Sequence, residues 1–267
     1  MQIIVYDSGK LGDERSVIEQ VQFGGIDFAR IDMFSINEFS KDISLFAIPY
    51  AIKNLKHMWD VMDSQVGVNI KKDLLKERFK CMCVYEPSSR CFYTCRHKIK
   101  SIKDLKGLKI RTQQSKSIVD VMDNIGIKSV FLGEDSIYDS IEEGLIDGAE
   151  DNVVMYYKSR NYEIAKFAMI DNHFRIPEMI IANKVTMSGL SKEDQELIEQ
   201  AAKDSARLEQ CLIRIQEKKA INYMLRRGVT IKNIDDKSKE EFIRNNKQYY
   251  ENFDKKRINY ILGRIKE

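Results

Sequence analysis

The feature that most constrains the fold is a long helical segment between Ser191 and Gly228. Ser191 and Asp194 have the spacing of a capping box, with Asp in place of the usual Glu, and Arg226 and Arg227 precede the glycine. A helix of about 35 residues spans roughly 50 Å, which exceeds one compact lobe. The segment therefore indicates two lobes. The candidates for its buried side are Leu197, Ile198, Ala201, Leu208, Leu212, Ile215 and Leu225.

The chain before this helix alternates between short apolar runs and helical segments. Residues 2–6 (QIIVY) and 45–50 (LFAIPY) are predicted strands, as are 79–86, 90–95, 108–112, 128–132, 145–150, 167–173 and 178–184. Amphipathic helices are predicted between most of them. This alternation predicts an α/β fold with parallel or mixed sheets and helices on their faces.

Charge and hydropathy narrow the range of partners. The 267 residues include 44 basic and 41 acidic side chains, which leave a net charge of +3 and no basic field of the kind that nucleic acid requires. No apolar run approaches the roughly 20 residues of a membrane span. Residues 2–6 follow Met1 directly, without a signal peptide, so the chain is either cytosolic or incomplete at its N-terminus.

Polar residues stand at the ends of three predicted strands. Arg111 ends one strand, Asp151 and Asn152 follow another, and Arg90 begins a third. Ligands of α/β sheets bind at the carboxyl ends of strands. Two arginines there can form a fork-shaped receptor for a carboxylate. The alternative is that both arginines are surface residues lying over apolar neighbours.

The cysteines offer a competing hypothesis. An odd number of cysteines does not indicate a disulfide framework, and the spacing from Cys81 to Cys95 matches no zinc pattern. We expect small hydrophobic side chains in strands and neither a metal nor a cofactor, because no phosphate loop or dinucleotide fingerprint occurs. The alternative is a thiol- or metal-dependent enzyme. The cysteines are Cys81, Cys83, Cys91, Cys95 and Cys211.

Several stretches, in order and at the right spacings, resemble one known family. They are GKLGDERSVIEQVQFGGIDFARI, IPYAIKNLKHMWDVMD, SRCFYT, IKSIKDLKGLKIRTQQS, IYDSIEEGLIDGAEDN, YYKSRNYEIAKF and LSKEDQELIEQAAKDSA. Together they are similar to the solute-binding subunits of TRAP transporters (tripartite ATP-independent periplasmic, DctP-like). The similarity runs from residue 3 to residue 232, and its strongest part is KSIKDLKGLKIR followed by IDGAE.

The resemblance implies a two-lobed, periplasmic-binding-protein-like fold of type II, with mixed sheets, crossing strands and a long helix spanning both lobes. Lobe I is expected over residues 1–89 and 177–217, and lobe II over residues 90–176 and 218–267, with the ligand cleft between them. The family's usual first strand, first helix and export signal are missing from this sequence. The resemblance nevertheless implies a periplasmic or extracellular, membrane-associated location.

The resemblance also implies the ligand-binding residues. The family's main carboxylate-binding arginine falls on Arg111 and a second arginine on Arg90. Gln114 takes a polar position that often faces the ligand, and Glu86 takes a position that is often acidic. Two further positions differ from the family pattern, because Asp151 stands in place of an asparagine and Glu134 in place of an aromatic residue. Asn152, directly after Asp151, is included among the expected ligand-binding residues.

The implied function is binding rather than catalysis. The expected ligand is an organic acid that is passed to the membrane permease subunits of a TRAP transporter. Acidic side chains at Glu134, Asp151 and Glu86 accept hydrogen bonds, so they suit hydroxyl or ammonium groups on the same ligand. We therefore expect a sugar acid such as a uronate. A ligand sensor on the same fold is an alternative.

Overall fold

The computed structural model describes residues 2–7, 9–113 and 115–262. The chain divides into two compact units. Unit 1 comprises Met1–Ile43, Met62–Glu86 and Ile176–Gln210, and unit 2 comprises Ser44–Val61, Pro87–Arg175 and Cys211–Glu267.

Residues 44–61 belong to unit 2. Tyr50 accounts for this placement, because its hydroxyl donates to Asp171 Oδ2 at 2.9 Å and its ring packs edge-on against Phe242. The backbone N–H of Tyr50 also donates to the carbonyl of His173. The segment LFAIPY, predicted as a strand, instead begins inside a 3₁₀ helix over Ile43–Ala47, so that prediction was wrong.

Unit 1 is built on a sheet in the order β1, β8, β2, with antiparallel pairing throughout. Asp13 starts the first helix by accepting the N–H of Ser16, and Gly24 ends it in the left-handed conformation. The elements are α1 (Glu14–Phe23), β1 (Phe28–Asp32), α3 (Gln65–Lys76), β2 (Phe79–Tyr85), β8 (Glu178–Asn183) and α7 (Lys184–Gly189).

Unit 2 is built on a mixed sheet in the order β5, β4, β6, β3, β7, β9. Strand β4 runs parallel to β5 and β6, whereas β3 runs antiparallel to β6 and β7. The mixed sheet confirms the prediction from the alternating pattern. Its strands are β3 (Arg90–Thr94), β4 (Lys109–Arg111), β5 (Lys128–Val130), β6 (Gly148–Asn152), β7 (Phe167–Ile170) and β9 (Thr230–Asn233).

Helices cover this second sheet. They are α2 (Leu55–Met62), α4 (Lys116–Asp123), α5 (Ile137–Glu142), α6 (Val153–Lys158), α9 (Asp236–Asn245), α10 (Lys247–Glu251) and α11 (Lys255–Ile261). The core beneath them includes Tyr93, which stacks on Tyr156 with ring centroids 4.1 Å apart. None of the helices among the described residues has the length and apolar character needed to cross a bilayer.

The long helix α8 (Lys192–Arg226) has 35 residues, as predicted. Ser191 and Asp194 form the predicted cap, because the Asp194 N–H donates to Ser191 Oγ at 3.1 Å. The predicted buried side was largely wrong. Ile198 is buried, but the helix turns Ala206, Ala220 and Met224 inward as well. The other predicted core residues are exposed, namely Leu197, Ala201, Leu208, Leu212, Ile215 and Leu225.

The predicted strand over residues 2–6 was also wrong. The described residues offer it no pairing strand, and a strand needs such a neighbour to satisfy its backbone groups. Ile3, Ile4, Val5 and Tyr6 are accordingly exposed.

Candidate functional site

The ends of β4 and β6 meet the start of β3 at one edge of the unit 2 sheet. Arg111 lies opposite Ala149 in the parallel pair, and Arg90 and Cys91 lie opposite Asn152 and Asp151 in the antiparallel pair. This register brings Arg90, Arg111 and Asp151 to the same edge, as the strand-end pattern predicted. Gly148 permits it, because a Cβ there would lie 2.0 Å from the carbonyl oxygen of Tyr93.

Arg111 is buried, with 7% of its surface exposed, yet its guanidinium makes few contacts. Its Nε donates to the carbonyl of Leu132 at 3.1 Å. Its Nη1 lies 3.8 Å from Asp151 Oδ2, which is an ion pair but too long for a hydrogen bond. A guanidinium carries five N–H donors. Four of those of Arg111 therefore have no hydrogen-bond partner among the described residues.

Asp151 is the acidic partner of Arg111. Its Oδ1 accepts the N–H of Asn152 at 2.6 Å. Burial raises the pKa of Asp151 to about 6, against the opposing effect of Arg90 and Arg111. Asn152 is the N-cap of α6, because its side-chain oxygen accepts the N–H of Met155 at 2.8 Å. The cap of this helix is therefore Asn152 and not Asp151.

Arg90 is held differently from Arg111. Its Nε and Nη2 donate to the two carboxylate oxygens of Glu150, each at 2.5 Å, and both side chains are buried. Burial raises the pKa of Glu150, but Arg90 and His173 outweigh it and lower that pKa to about 2. The pair therefore stays ionised at physiological pH, and Glu150 fixes the orientation of Arg90.

His173 extends the pair into a buried network. Its Nδ1 lies 2.8 Å from Asp171 Oδ1, and its Nε2 lies 3.2 Å from Glu150 Oε1. Burial lowers the pKa of His173, but Asp171 and Glu150 outweigh it and raise that pKa to about 9. The ring stacks on Phe92, with centroids 4.7 Å apart. His173 is therefore a cation at neutral pH, held between two carboxylates.

Two buried polar atoms at the same edge have no hydrogen-bond partner in the described part of the chain. One is the hydroxyl of Thr112, directly after Arg111, and the other is the side-chain oxygen of Asn172. Asn172 adopts a positive φ of 53°, and its N–H donates to the carbonyl of Arg90 at 3.2 Å. Arg111 can donate hydrogen bonds to a polar molecule, the Thr112 hydroxyl can donate or accept one, and the Asn172 side-chain oxygen can accept one.

Sequence analysis missed Thr112, Glu150, Asp171, Asn172 and His173. The signal was present, because the run DNH follows the strand FAMI and the carboxylate of AED precedes Asp151. His173 is far from both arginines along the chain. Strand pairing removes that distance, because β7 lies beside β3.

The remaining three predicted ligand-binding residues are not seen at this end of the sheet among the residues that the structure describes. Glu134 is exposed in a 3₁₀ turn beyond β5. Glu86 belongs to unit 1, where it is buried and its N–H donates to Glu209 Oε2 at 3.0 Å. Gln114 lies outside the described residues. The roles of these three residues stay predictions.

The cysteines do not form one cluster. Cys81 and Cys83 lie on β2 in unit 1, and Cys91 on β3 in unit 2. Burial raises the pKa of Cys81 to about 12 and raises the pKa of Cys91 well above its usual value, which favours the poorly nucleophilic thiol. Among the described residues, no group of three or more His, Cys, Asp or Glu side chains could hold a metal ion.

Comparison with known proteins decides the family. Residues 1–256 match the family described as bacterial extracellular solute-binding protein, family 7, or DctP. The chain belongs to this family. The resemblance seen in the sequence is thereby confirmed, and the family is one of solute-binding proteins that act outside the cytoplasm.

Solved structures of family members confirm the two-lobed type II fold. A TRAP periplasmic solute-binding protein from Xanthobacter autotrophicus Py2, with bound β-D-galacturonate, has a TM-score of 0.88 and 28% identity, covering 99% of this chain and 88% of that one. A second, from Bradyrhizobium sp. BTAi1, in complex with galacturonate, has a TM-score of 0.86 and 32% identity, covering 96% and 85%.

A curated relative is the 2,3-diketo-L-gulonate-binding periplasmic protein of Escherichia coli K12. It is 25% identical over 234 residues, which are 86% of this chain and 70% of the relative. All three proteins are associated with a sugar acid by name or by bound ligand.

Proposed function

We propose that this family 7 protein binds a sugar acid of the uronate class and delivers it to the permease subunits of a TRAP transporter outside the cytoplasm. The observation that carries the proposal is Arg111, a buried guanidinium with one hydrogen bond. Burying a cation is costly unless an anion is matched to it. A ligand carboxylate would supply that match through two parallel N–H···O bonds.

The neighbours of Arg111 favour a ligand with hydroxyl groups. Asp151 accepts hydrogen bonds from hydroxyls when it is ionised, and the hydroxyl of Thr112 is buried without a partner. A plain dicarboxylate would bring a second negative charge towards Asp151. A uronate combines one carboxylate with several hydroxyls and fits both features. The uronates bound by the two solved relatives support the same class.

Arg90 is a supporting residue in this proposal. Its pairing with Glu150 fixes the guanidinium at the sheet edge, so that the site is organised before the ligand arrives. The ionised network of Arg90, Glu150, His173 and Asp171 carries two positive and two negative charges, so it holds Arg90 in place without adding net charge. We propose binding without turnover, because this network holds its groups in fixed pairs.

Calorimetric titration and thermal melting test the proposal. The ligand panel is D-galacturonate, D-glucuronate, a sialic acid, a C4-dicarboxylate, a 2-oxo acid and neutral D-galactose. We expect a uronate to bind with one-to-one stoichiometry and to stabilise the protein by about 2.7 kcal/mol at a hundredfold excess over Kd. Galactose should fail, because it lacks the carboxylate.

Variants connect the result to the site. Arg111→Ala should strongly reduce the ligand-induced shift, whereas Arg160→Ala, which removes an exposed ion pair with Glu163 in the same unit, should preserve it. Binding by Arg111→Ala with unchanged affinity would refute the proposed site. Delivery to the permease is tested by uptake of the bound acid into vesicles that contain the permease subunits.

A further inference from the structure

The exposed face of α8 carries apolar side chains that the fold leaves in solvent. We name this set the apolar stripe. At about 100° per residue its members lie within about 60° of one another around the helix. Its four Leu and Ile side chains are 44% to 63% exposed, so burial in the fold does not explain them. The stripe consists of Leu197, Ala201, Leu208, Leu212 and Ile215.

The stripe is separate from the face that packs on the core. Ile198, Ala206, Ala220 and Met224 form the buried face, and they are displaced from the stripe by roughly 120° around the helix axis. A helix that is apolar on two faces has one face more than its own fold uses. Exposed leucines in a row at helical spacing are typical of a surface that packs against another helix.

Charge along α8 is divided between its two ends. Residues 192–211 carry six acidic and three basic side chains, whereas residues 212–226 carry four basic and one acidic. Two copies of such a helix attract each other when they run antiparallel, since the acidic end of each then faces the basic end of the other. A parallel pair would place like charges together.

The apolar stripe has the same antiparallel symmetry. A two-fold axis passing between Cys211 and Leu212 places Leu208 against the partner subunit's Ile215. The same axis places Asp204 against the partner subunit's Lys219. We propose that α8 is a self-association surface, on which the apolar stripes of two copies pack antiparallel into a homodimer.

The length of the helix contact indicates how tightly the two copies should associate. From Leu197 to Arg226 the helix extends about 43 Å, and packed helices lie about 8–10 Å apart. One helix pair buries less than the roughly 1,600 Å² of a standard stable interface. The dimer is therefore expected to be reversible and to dissociate on dilution.

Sedimentation velocity over a protein concentration series tests the stripe. The unaltered chain should shift from monomer towards dimer as concentration rises, and Leu208→Asp should remain monomeric. The matched control is Leu145→Asp, which places the same charge at another exposed leucine, 58% accessible, away from α8. Leu208 is itself exposed, so the melting temperature of its variant should stay that of the unaltered chain.

Charge exchange tests the antiparallel arrangement. Asp204→Lys and Lys219→Asp should each weaken the dimer about tenfold, and the double variant should restore it, because the two charges meet across the axis. Within its own helix Asp204 accepts a hydrogen bond from Gln200 Nε2 at 3.0 Å and lies 3.3 Å from Arg207 Nη1, and such exposed contacts contribute little to stability. A double variant weaker than either single variant would overturn the arrangement.

Cross-linking gives a third readout near the axis. Cys211 is exposed, so a short bismaleimide should join two copies, and Cys211→Ser should prevent it. A monomer at every concentration, or a dimer that Leu208→Asp leaves intact, would overturn the proposal. The uronate site is independent of it, because Leu208→Asp should bind ligand with unchanged affinity.

Discussion

Arg90 and Glu150 form a buried ion pair through two parallel hydrogen bonds, each 2.5 Å long. Arg111, at the same sheet edge, has one hydrogen bond to a carbonyl and a 3.8 Å ion contact with Asp151. The two arginines thus have different tasks. The first is matched by the protein, and the second has donors available for a ligand.

This difference predicts opposite effects of two alanine substitutions. Arg90→Ala leaves the buried carboxylate of Glu150 without its two hydrogen bonds from arginine and should lower the free energy of unfolding by about 3–5 kcal/mol. Arg111→Ala should leave the unfolding free energy nearly unchanged but weaken uronate binding by roughly ten- to a hundredfold or more, because a hydrogen bond to a charged group contributes about 1.5–3 kcal/mol. Urea denaturation and calorimetry measure the two quantities.

Arg111→Lys refines the test. Lysine keeps the charge but lacks the planar fork, so binding should fall between that of the alanine variant and that of the unaltered protein. A large loss of stability in Arg111→Ala, with no acid in the panel bound by the unaltered protein, would make Arg111 a structural residue.

His173 predicts a dependence of stability on pH. Its pKa is raised from 6.5 to about 9 in the folded protein, so protonation favours folding. The resulting stabilisation, about 3 kcal/mol, is complete below pH 6.5 and is lost as the pH rises through 9. His173→Gln should be less stable than the unaltered protein at pH 6, and this gap should narrow towards pH 9.5.

The measurement is the unfolding free energy in urea at several pH values. His97→Gln is the control, since it removes another imidazole whose side chain is about half exposed. A gap between His173→Gln and the unaltered protein that stays constant from pH 6 to 9.5 would contradict a protonated His173.

The sequence predicted where three polar side chains lie better than it predicted which face of α8 is buried. Arg90, Arg111 and Asp151 were found because strand ends are local features, and the ends of paired strands meet at one edge. A local pattern of this kind could not show which apolar face of α8 is buried. Small residues such as Ala206 and Ala220 line the buried side, whereas larger leucines of similar spacing remain outside.

The other wrong or missing predictions concern contacts between segments that are distant in the sequence. Residues 2–6 have the composition of a strand, but a strand forms only beside another strand, and composition does not provide one. His173 was missed for the same reason, since its two carboxylates come from β6 and from the end of β7. Local pattern predicts elements, whereas contacts between elements depend on the whole fold.

Asp151 predicts a second dependence of stability on pH. Burial raises its pKa from 3.8 to about 6, so the ionised form is disfavoured in the folded protein. Its contribution to stability is greatest below pH 3.8 and falls as the pH rises through 6. Asp151→Asn cannot ionise and should be more stable than the unaltered protein by about 3 kcal/mol at pH 7.5, with the gap closing near pH 4. A lower stability of Asp151→Asn at pH 7.5 would show that the pair with Arg111 outweighs burial.

The same substitution tests how the protein selects its ligand. At pH 7.5 Asp151 is ionised, so we expect it to accept a hydrogen bond from a hydroxyl of a uronate and to repel the second carboxylate of a dicarboxylate. Asp151→Asn keeps the shape and removes the charge. We expect the ratio of uronate to C4-dicarboxylate affinity to fall by about tenfold, because one charged hydrogen bond is lost and one repulsion is relieved.

Calorimetric titration of both ligands into both proteins gives this ratio, which cancels any general change in stability. Asp139→Asn is the matched control, since Asp139 is an exposed carboxylate on α5. An unchanged ratio would mean that Asp151 does not contact the part of the ligand beyond its first carboxylate. The proposed hydroxyl contact would then fail, while the carboxylate contact with Arg111 would stand on its own test.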